Sequence, residues 1–213
     1  MPNEPLIDAL AGDLAPVRPR RVAREFLILV GIGALEIALM LLLGGARPDI
    51  GVAISLASFW WKLLGLGALS AIGMITAVRS FEPVSRPWRG LRLFALAVGL
   101  VLAVGWGIDS GDAVTMPLFE RLMWRHGLDC VLRMAALSTP AIVALGLLMR
   151  RGASTDRRAS ALAVGAASAV WGAFVFAFNC PSDDPLYIAV WYCLGCAIVT
   201  LIGRLVLPAI TRW

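Results

Sequence analysis

The sequence predicts an all-α, polytopic membrane protein: a bundle of six transmembrane helices with both termini in the cytosol. The first observation is composition, because 60% of the 213 residues are hydrophobic, only 15% are charged, and the mean hydropathy is +0.83. The second is that six apolar stretches are each about long enough to cross a bilayer. The third is that arginines gather at alternate ends of these stretches.

Each apolar stretch is expected to be a helix, because hydrocarbon leaves no water to satisfy a free backbone group. The predicted spans cover residues 26–46, 54–78, 91–108, 127–149, 159–178 and 187–207. The connecting loops are short, so the chain has no room for a soluble catalytic domain. It therefore divides into an N-terminal segment, residues 1–25, and a membrane domain, residues 26–213.

The arginines predict the orientation of the bundle. Fourteen of them lie in the N-terminal segment, the second and fourth loops and the C-terminal end, whereas Arg47, Arg121 and Arg125 occupy the opposite side. The positive-inside rule then places both termini in the cytosol. The net charge of +5 and the pI near 9.6 come from arginines that flank the apolar stretches, where they meet lipid headgroups. We therefore expect contact with the bilayer and no direct nucleic-acid binding.

Two cysteines are candidates for chemistry on the outer side. Cys130 lies at the outer start of the fourth span and Cys180 at the outer end of the fifth, so they share a similar depth and can meet if these helices are neighbours. Residues expected to support them are His126, Asp129 and Arg133 on the helical face of Cys130, with Asp183 and Asp184 as further oxygen ligands after Cys180. Three interpretations stay open: a thiol pair that senses oxidant or metal, a static disulfide, or no specific role.

No resident cofactor is predicted. Cys130 and Cys180 are the candidate ligands if a heavy-metal ion binds transiently, because thiolates favour soft metals. Cys193 and Cys196 form a Cys-x-x-Cys motif, but they lie about 9 and 13 Å into the sixth span at 1.5 Å per residue. Thiols at that depth stay protonated, so we expect them to fill the core.

Two charged residues fall inside predicted spans. Glu36 lies near the middle of the first span and Lys62 in the outer half of the second. A charge in hydrocarbon needs a partner, so we expect these two residues to pair across neighbouring helices. The pair either fixes one helix against the other or lines an ion path.

The N-terminal segment carries a leucine stripe, defined by Leu6, Leu10 and Leu14 with Ile7 beside it, while Asp8 and Asp13 point elsewhere. This spacing predicts a short amphipathic helix, which gains stability by docking into a groove. Two acidic residues disfavour an anionic lipid surface, so the groove is expected to belong to a protein.

Residues 6–17, Leu-Ile-Asp-Ala-Leu-Ala-Gly-Asp-Leu-Ala-Pro-Val, resemble the N-terminal signature of the NrsF family, six-span anti-sigma factors of the bacterial inner membrane. The resemblance extends to the six spans and the outward-facing Cys130 and Cys180. It implies that the N-terminal segment sequesters an extracytoplasmic-function sigma factor. It also implies that the periplasmic cysteines release the sigma factor under heavy-metal or oxidant stress. Cys193 and Cys196 have no counterpart in the family pattern.

Two alternatives belong to other classes of protein. One is a membrane thiol–disulfide oxidoreductase, in which Cys193 and Cys196 pass electrons to Cys130 and Cys180. The other is a small ion- or proton-coupled transporter that uses Glu36 and Lys62. The first expects its Cys-x-x-Cys motif at the water interface, and the second expects broken helices at mid-membrane.

Overall fold

A computed structural model of the chain describes Gly12 and residues 22–44, 47–111 and 117–211. Within the last three of these ranges the chain forms eight helices and no strand, which confirms the all-α prediction. The helices are α1 (Val22–Gly44), α2 (Ile50–Ala53), α3 (Ala57–Arg79), α4 (Pro87–Gly111), α5 (Leu118–Leu122), α6 (Trp124–Arg151), α7 (Arg157–Ala177) and α8 (Pro185–Ile210). Six of them, α1, α3, α4, α6, α7 and α8, are long and apolar enough to cross a membrane.

The six long helices alternate in direction, so the bundle has two chemically different ends. The arginine end carries the residues between α3 and α4 and between α6 and α7, where Arg79, Arg86, Arg150 and Arg151 are exposed. The opposite end carries Cys130 and Cys180 and is called the cysteine end below. The predicted leucine stripe, apart from its neighbour Gly12, lies outside the described residues.

Helix α7 forms the centre of the bundle and packs against α3, α6 and α8. Its side chains are mostly alanine, glycine and serine, which let neighbouring backbones approach closely. A Cβ on Gly165, for example, would lie 2.8 Å from the carbonyl oxygen of Thr200 on α8. Two serines of α7, Ser160 and Ser168, are fully buried.

Helices α1 and α4 lie at the edge. Only 11% of the membrane window of α1 is buried within the protein, against 83% for α7. Leu27, Leu42 and Leu43 project from α1 with most of their surface exposed. In a bilayer these faces contact lipid, which is as apolar as leucine and gives no drive toward the bundle.

The structure corrects two details of the predicted spans. Helix α4 begins at Pro87, four residues before the predicted start, because a proline fits the first helical position and its arginines lie at the headgroup level. The predicted loop before the fourth span contains α5, which ends at Leu122 and is followed by Met123 with φ of 37°. This left-handed residue breaks the helix, so α5 and α6 are separate elements.

Candidate functional site

Cys130 and Cys180 lie together at the cysteine end. Cys130 is on the second turn of α6, and Cys180 follows the end of α7, so the packing of α6 beside α7 brings them into contact. Both are buried, with 5% and 2% of their surfaces exposed, and both are free thiols. In this structure the pair is therefore a dithiol.

Hydrogen bonds order the two sulfurs. The Sγ atom of Cys130 lies 2.9 Å from the hydroxyl of Tyr187, near the start of α8. A hydrogen bond from the Cys130 thiol to Cys180 lowers the pKa of Cys180 to about 6, against the opposing effect of burial. The charge of Lys62 acts in the same direction. At neutral pH, Cys180 is thus mainly a thiolate, the form that attacks oxidants and binds soft metals.

A cavity of about 410 Å³ opens beside the thiols. It is lined by Cys130 and Cys180 together with three residues from the predicted face of α6, namely His126, Asp129 and Arg133. These three side chains are exposed, whereas Cys130 on the same face of α6 is buried. The face therefore lies partly at the protein surface and partly against the two cysteines. Because both cysteines line it, this cavity gives a small reactant at the cysteine end a route toward the pair.

The predicted role of Asp183 and Asp184 in a metal shell needs correction. Neither carboxylate lines the thiol cavity. Asp183 binds two cations, as described below, and Asp184 caps α8 by accepting a hydrogen bond from the Leu186 amide at 2.8 Å. Among the described residues no group of three or more His, Cys, Asp or Glu side chains could hold a metal ion. A metal bound here would rely on the two sulfurs.

Lys62 holds the loop that carries Cys180. Its ammonium donates hydrogen bonds to the carbonyl oxygens of Cys180 at 3.1 Å and Ser182 at 3.0 Å. It also lies 2.5 Å from a carboxylate oxygen of Asp183. The Lys62 side chain has no exposed surface, so these three acceptors replace the water that the charge has lost.

The predicted pair between Glu36 and Lys62 is therefore wrong. Glu36 instead accepts a hydrogen bond from the indole nitrogen of Trp171 on α7 at 2.8 Å. The reason is where α1 lies in the plane of the membrane. Helix α1, which carries Glu36, packs against α6 and α7, and a cavity of about 480 Å³ separates it from α3, which carries Lys62. Lys62 lies closer to the cysteine end, where Asp183 reaches it.

Arg47 is a site residue that sequence reasoning missed. It follows the last residue of α1 by three positions, and its side chain is only 1% exposed. Its guanidinium donates to Asp183 at 2.9 Å, to the carbonyl oxygen of Pro181 at 2.9 Å and to Asp49 at 2.7 Å. The signal was present in the sequence, since Arg47 is one of only three arginines expected on the outer side.

A second ion network fixes the start of α6. Arg121 of α5 binds Asp184 at 2.7 Å and also pairs with Asp109 of α4. The indole of Trp191 on α8 donates to the carbonyl oxygen of Leu122 at 2.7 Å, and a Cβ on Gly127 would overlap this indole. The helix that presents Cys130 is thus held against α8 just before the cysteine.

Cys193 and Cys196 occupy a different place. They line a groove of about 490 Å³ between α3, α4, α7 and α8, away from the thiol cavity. Cys196 packs against the core as expected, whereas Cys193 is exposed on the surface of α8, which corrects the prediction of core filling for that residue. Neither is part of the dithiol.

Comparison with known proteins identifies one family. The family model NrsF, described as negative regulator of sigma F, matches residues 10–213. The anti-sigma-F factor NrsF of Caulobacter vibrioides (strain NA1000 / CB15N) is 33% identical over an alignment covering 100% of both chains. The probable anti-sigma-F factor NrsF of Azospira oryzae is 29% identical, again over 100% of both chains. No solved structure matches the chain.

Proposed function

The chain belongs to the NrsF family of negative regulators of sigma F, and on that premise we propose that it sequesters an extracytoplasmic-function sigma factor at the membrane. The proposed trigger for release is the reaction of Cys130 and Cys180 with an oxidant or a heavy metal in the periplasm. Because the family consists of regulators, the oxidoreductase alternative is set aside. The transporter alternative depended on a pair between Glu36 and Lys62, and these two residues do not pair in the structure.

The proposed sigma-binding element is the N-terminal segment, residues 1–25. Its support is the leucine stripe: Leu6, Ile7, Leu10 and Leu14 form one apolar face, with Asp8 and Asp13 beside it. An isolated helix this short is marginal in water, so it is stabilised by docking into a groove on the sigma factor. The membrane domain, residues 26–213, then acts as the sensor.

The proposed location is the bacterial inner membrane, with both termini in the cytoplasm. The support is the arginine distribution, fourteen on one side against three on the other. This orientation puts the N-terminal segment in the compartment of RNA polymerase. It puts the cysteine end in the periplasm, where oxidants and metal ions arrive.

The observation that carries the sensing role is the buried dithiol of Cys130 and Cys180 beside an open cavity. With a hydroperoxide, the Cys180 thiolate attacks the peroxide oxygen, giving a sulfenic acid and releasing an alcohol after protonation. The Cys130 thiol then condenses with the sulfenic acid, which forms the disulfide and releases water. With a soft divalent metal, both sulfurs bind the ion: the Cys180 thiolate binds directly, and the Cys130 thiol loses its proton as it binds.

The first experiment tests the sigma-binding segment in the full-length protein, purified in detergent and used to capture the sigma factor. Leu10→Asp with Leu14→Asp should abolish capture, because two charges would enter the apolar face. Gly12→Asp is the matched control: it adds a charge away from the stripe, at a position with open space for a side chain. Equal loss in all variants, or no capture by the unaltered protein, would contradict the proposal.

The second experiment tests the sensor in the same assay. Cys130→Ser with Cys180→Ser should retain capture of the sigma factor but lose its release by cadmium or hydroperoxide. Cys193→Ser with Cys196→Ser is the matched control and should respond like the unaltered protein. Constitutive release in the first variant would show instead that the pair is structural.

A further inference from the structure

Helix α1 is attached to the bundle by few contacts, although it leads directly from the N-terminal segment. Cavities of about 480 and 390 Å³ flank it, the first toward α3 and α7 and the second toward α6. Apart from Leu29, which packs against the core, its leucines face outward, so apolar packing holds it weakly. In lipid, the position of such a helix depends strongly on its hydrogen bonds and close contacts with other helices.

Arg47, just after α1, makes three of its polar contacts with one loop, the one that carries Cys180. Arg47 donates its backbone N–H to the carbonyl oxygen of Phe178 at 3.4 Å, and its guanidinium donates to the carbonyl oxygen of Pro181 and the carboxylate of Asp183. These three acceptors, with Arg47, are called the Arg47 clamp below. They bracket Cys180 on both sides in sequence, so the clamp and the sulfur share one short piece of backbone.

This loop is held from its other side by Lys62, which shares Asp183 with Arg47. Lys62 binds the carbonyl oxygens of Cys180 and Ser182, while Arg47 binds that of Pro181. Three successive carbonyl oxygens thus point at buried cations. A disulfide or a metal–sulfur bond redirects the Cys180 side chain, and the carbonyl groups around it cannot turn without weakening these contacts.

We propose that Arg47 is a positioning residue through which the Cys130–Cys180 pair controls helix α1 and the N-terminal segment. This inference rests on the proposed function. The structure contains free thiols and a closed clamp, so the closed clamp is the sigma-holding state. Reaction of the thiols opens the clamp, and α1 then shifts into the cavities that flank it. Its movement carries the signal along about 35 Å of helix to the cytosolic side.

The first test replaces Arg47 in the full-length protein and measures sigma capture with the thiols reduced. Arg47→Ala should weaken capture of the sigma factor about tenfold or more, which is within the usual range for coupled sites. The loss should be the same in a protein whose Cys130 and Cys180 are replaced by serine. Arg125→Ala is the matched control: it removes an exposed arginine at the same end of the bundle that lies outside the clamp, so capture and release should be unchanged. Arg47→Lys keeps the charge and should restore part of the capture.

The outcomes separate this inference from the proposed function. If the unaltered protein captures no sigma factor, the proposed function fails. If it captures and releases sigma but Arg47→Ala behaves in the same way, the clamp does not couple the sites and the inference alone is overturned. Retained capture with lost release in Arg47→Ala would also overturn it, because the closed clamp would not be the holding state.

Hydrogen exchange on the unaltered protein provides a second measurement that does not depend on how Arg47→Ala folds. On oxidation with hydroperoxide, residues 47–53 and 178–184 should lose protection together, since the Arg47 amide is bonded to the Phe178 carbonyl. Faster exchange in residues 178–184 alone, accompanied by sigma release, would refute coupling through Arg47.

Discussion

Replacing Cys130 with alanine tests the electrostatic arrangement of the thiol pair. The hydrogen bond from Cys130 is the largest cause that lowers the pKa of Cys180 to about 6. At that pKa about 90% of Cys180 is thiolate at pH 7, whereas a cysteine with an ordinary pKa of about 8.5 is about 3% thiolate. If Cys130→Ala restored the ordinary value, Cys180 would react about 30-fold more slowly at pH 7. Cys130→Ser keeps a hydroxyl donor and should retain the low pKa.

The assay is the alkylation rate of Cys180 by iodoacetamide as a function of pH, followed by mass spectrometry of its peptide. In the unaltered protein and in Cys130→Ser the rate should fall as the pH drops through about 6, because the thiolate gains a proton there. In Cys130→Ala the same fall should occur at higher pH. Equal midpoints for the alanine and serine variants, or a midpoint near 8.5 in the unaltered protein, would refute the reasoning.

Two further predictions concern packing and the membrane interior. Gly127→Ala would force a methyl group into the indole of Trp191 and should lower the free energy of unfolding in detergent by about 1–3 kcal/mol. Gly99→Ala is the control and should not lower it, because a Cβ there meets nothing within 4 Å. Similar losses of stability in both variants would contradict the contact. Glu36→Gln keeps a carbonyl oxygen that accepts from Trp171, so it should unfold like the unaltered protein, while Glu36→Leu should lose about 1 kcal/mol. Equal stability of Glu36→Leu and Glu36→Gln would show that this hydrogen bond contributes nothing.

The sequence predicted well those features that depend on depth along the membrane normal. Apolar stretches and their arginine flanks locate six helices, and they place Cys130 and Cys180 at the same level. Because α6 and α7 are joined by a short loop, they are neighbours, and common depth then brings the two sulfurs together.

Depth alone does not predict lateral arrangement, and this is why Glu36 and Lys62 were paired incorrectly. Consecutive helices are often neighbours, yet here the small side chains of α7 gather α3, α6 and α8 around it. Helix α1 is left at the edge, so Glu36 meets Trp171 rather than Lys62. Hydropathy gives no information about which helix occupies the centre.

Loop residues were the other omission. Arg47 and Asp183 are far apart in sequence and belong to different loops. Arg47 looked like an ordinary surface charge at the membrane boundary, and Asp183 was expected to support the cysteine pair. Their ion pair depends on the loop backbone folding over the end of the bundle, where both side chains become buried. No periodic pattern encodes such a contact. The Met123 break is equally local, since methionine has no preference for a positive φ.

The uneven burial of the long helices has a consequence for biogenesis. The most apolar of the six is α1, which is also highly exposed, so it can leave the translocon and rest in lipid without a protein neighbour. Helix α7 contains Ser160 and Ser168 and is among the less apolar of the six helices. It is therefore stable in the membrane only when α3, α6 and α8 pack around it. A nascent chain that stops before α8 therefore leaves the side of α7 around Gly165, which Thr200 and Gly203 of α8 cover in the finished bundle, open to hydrocarbon.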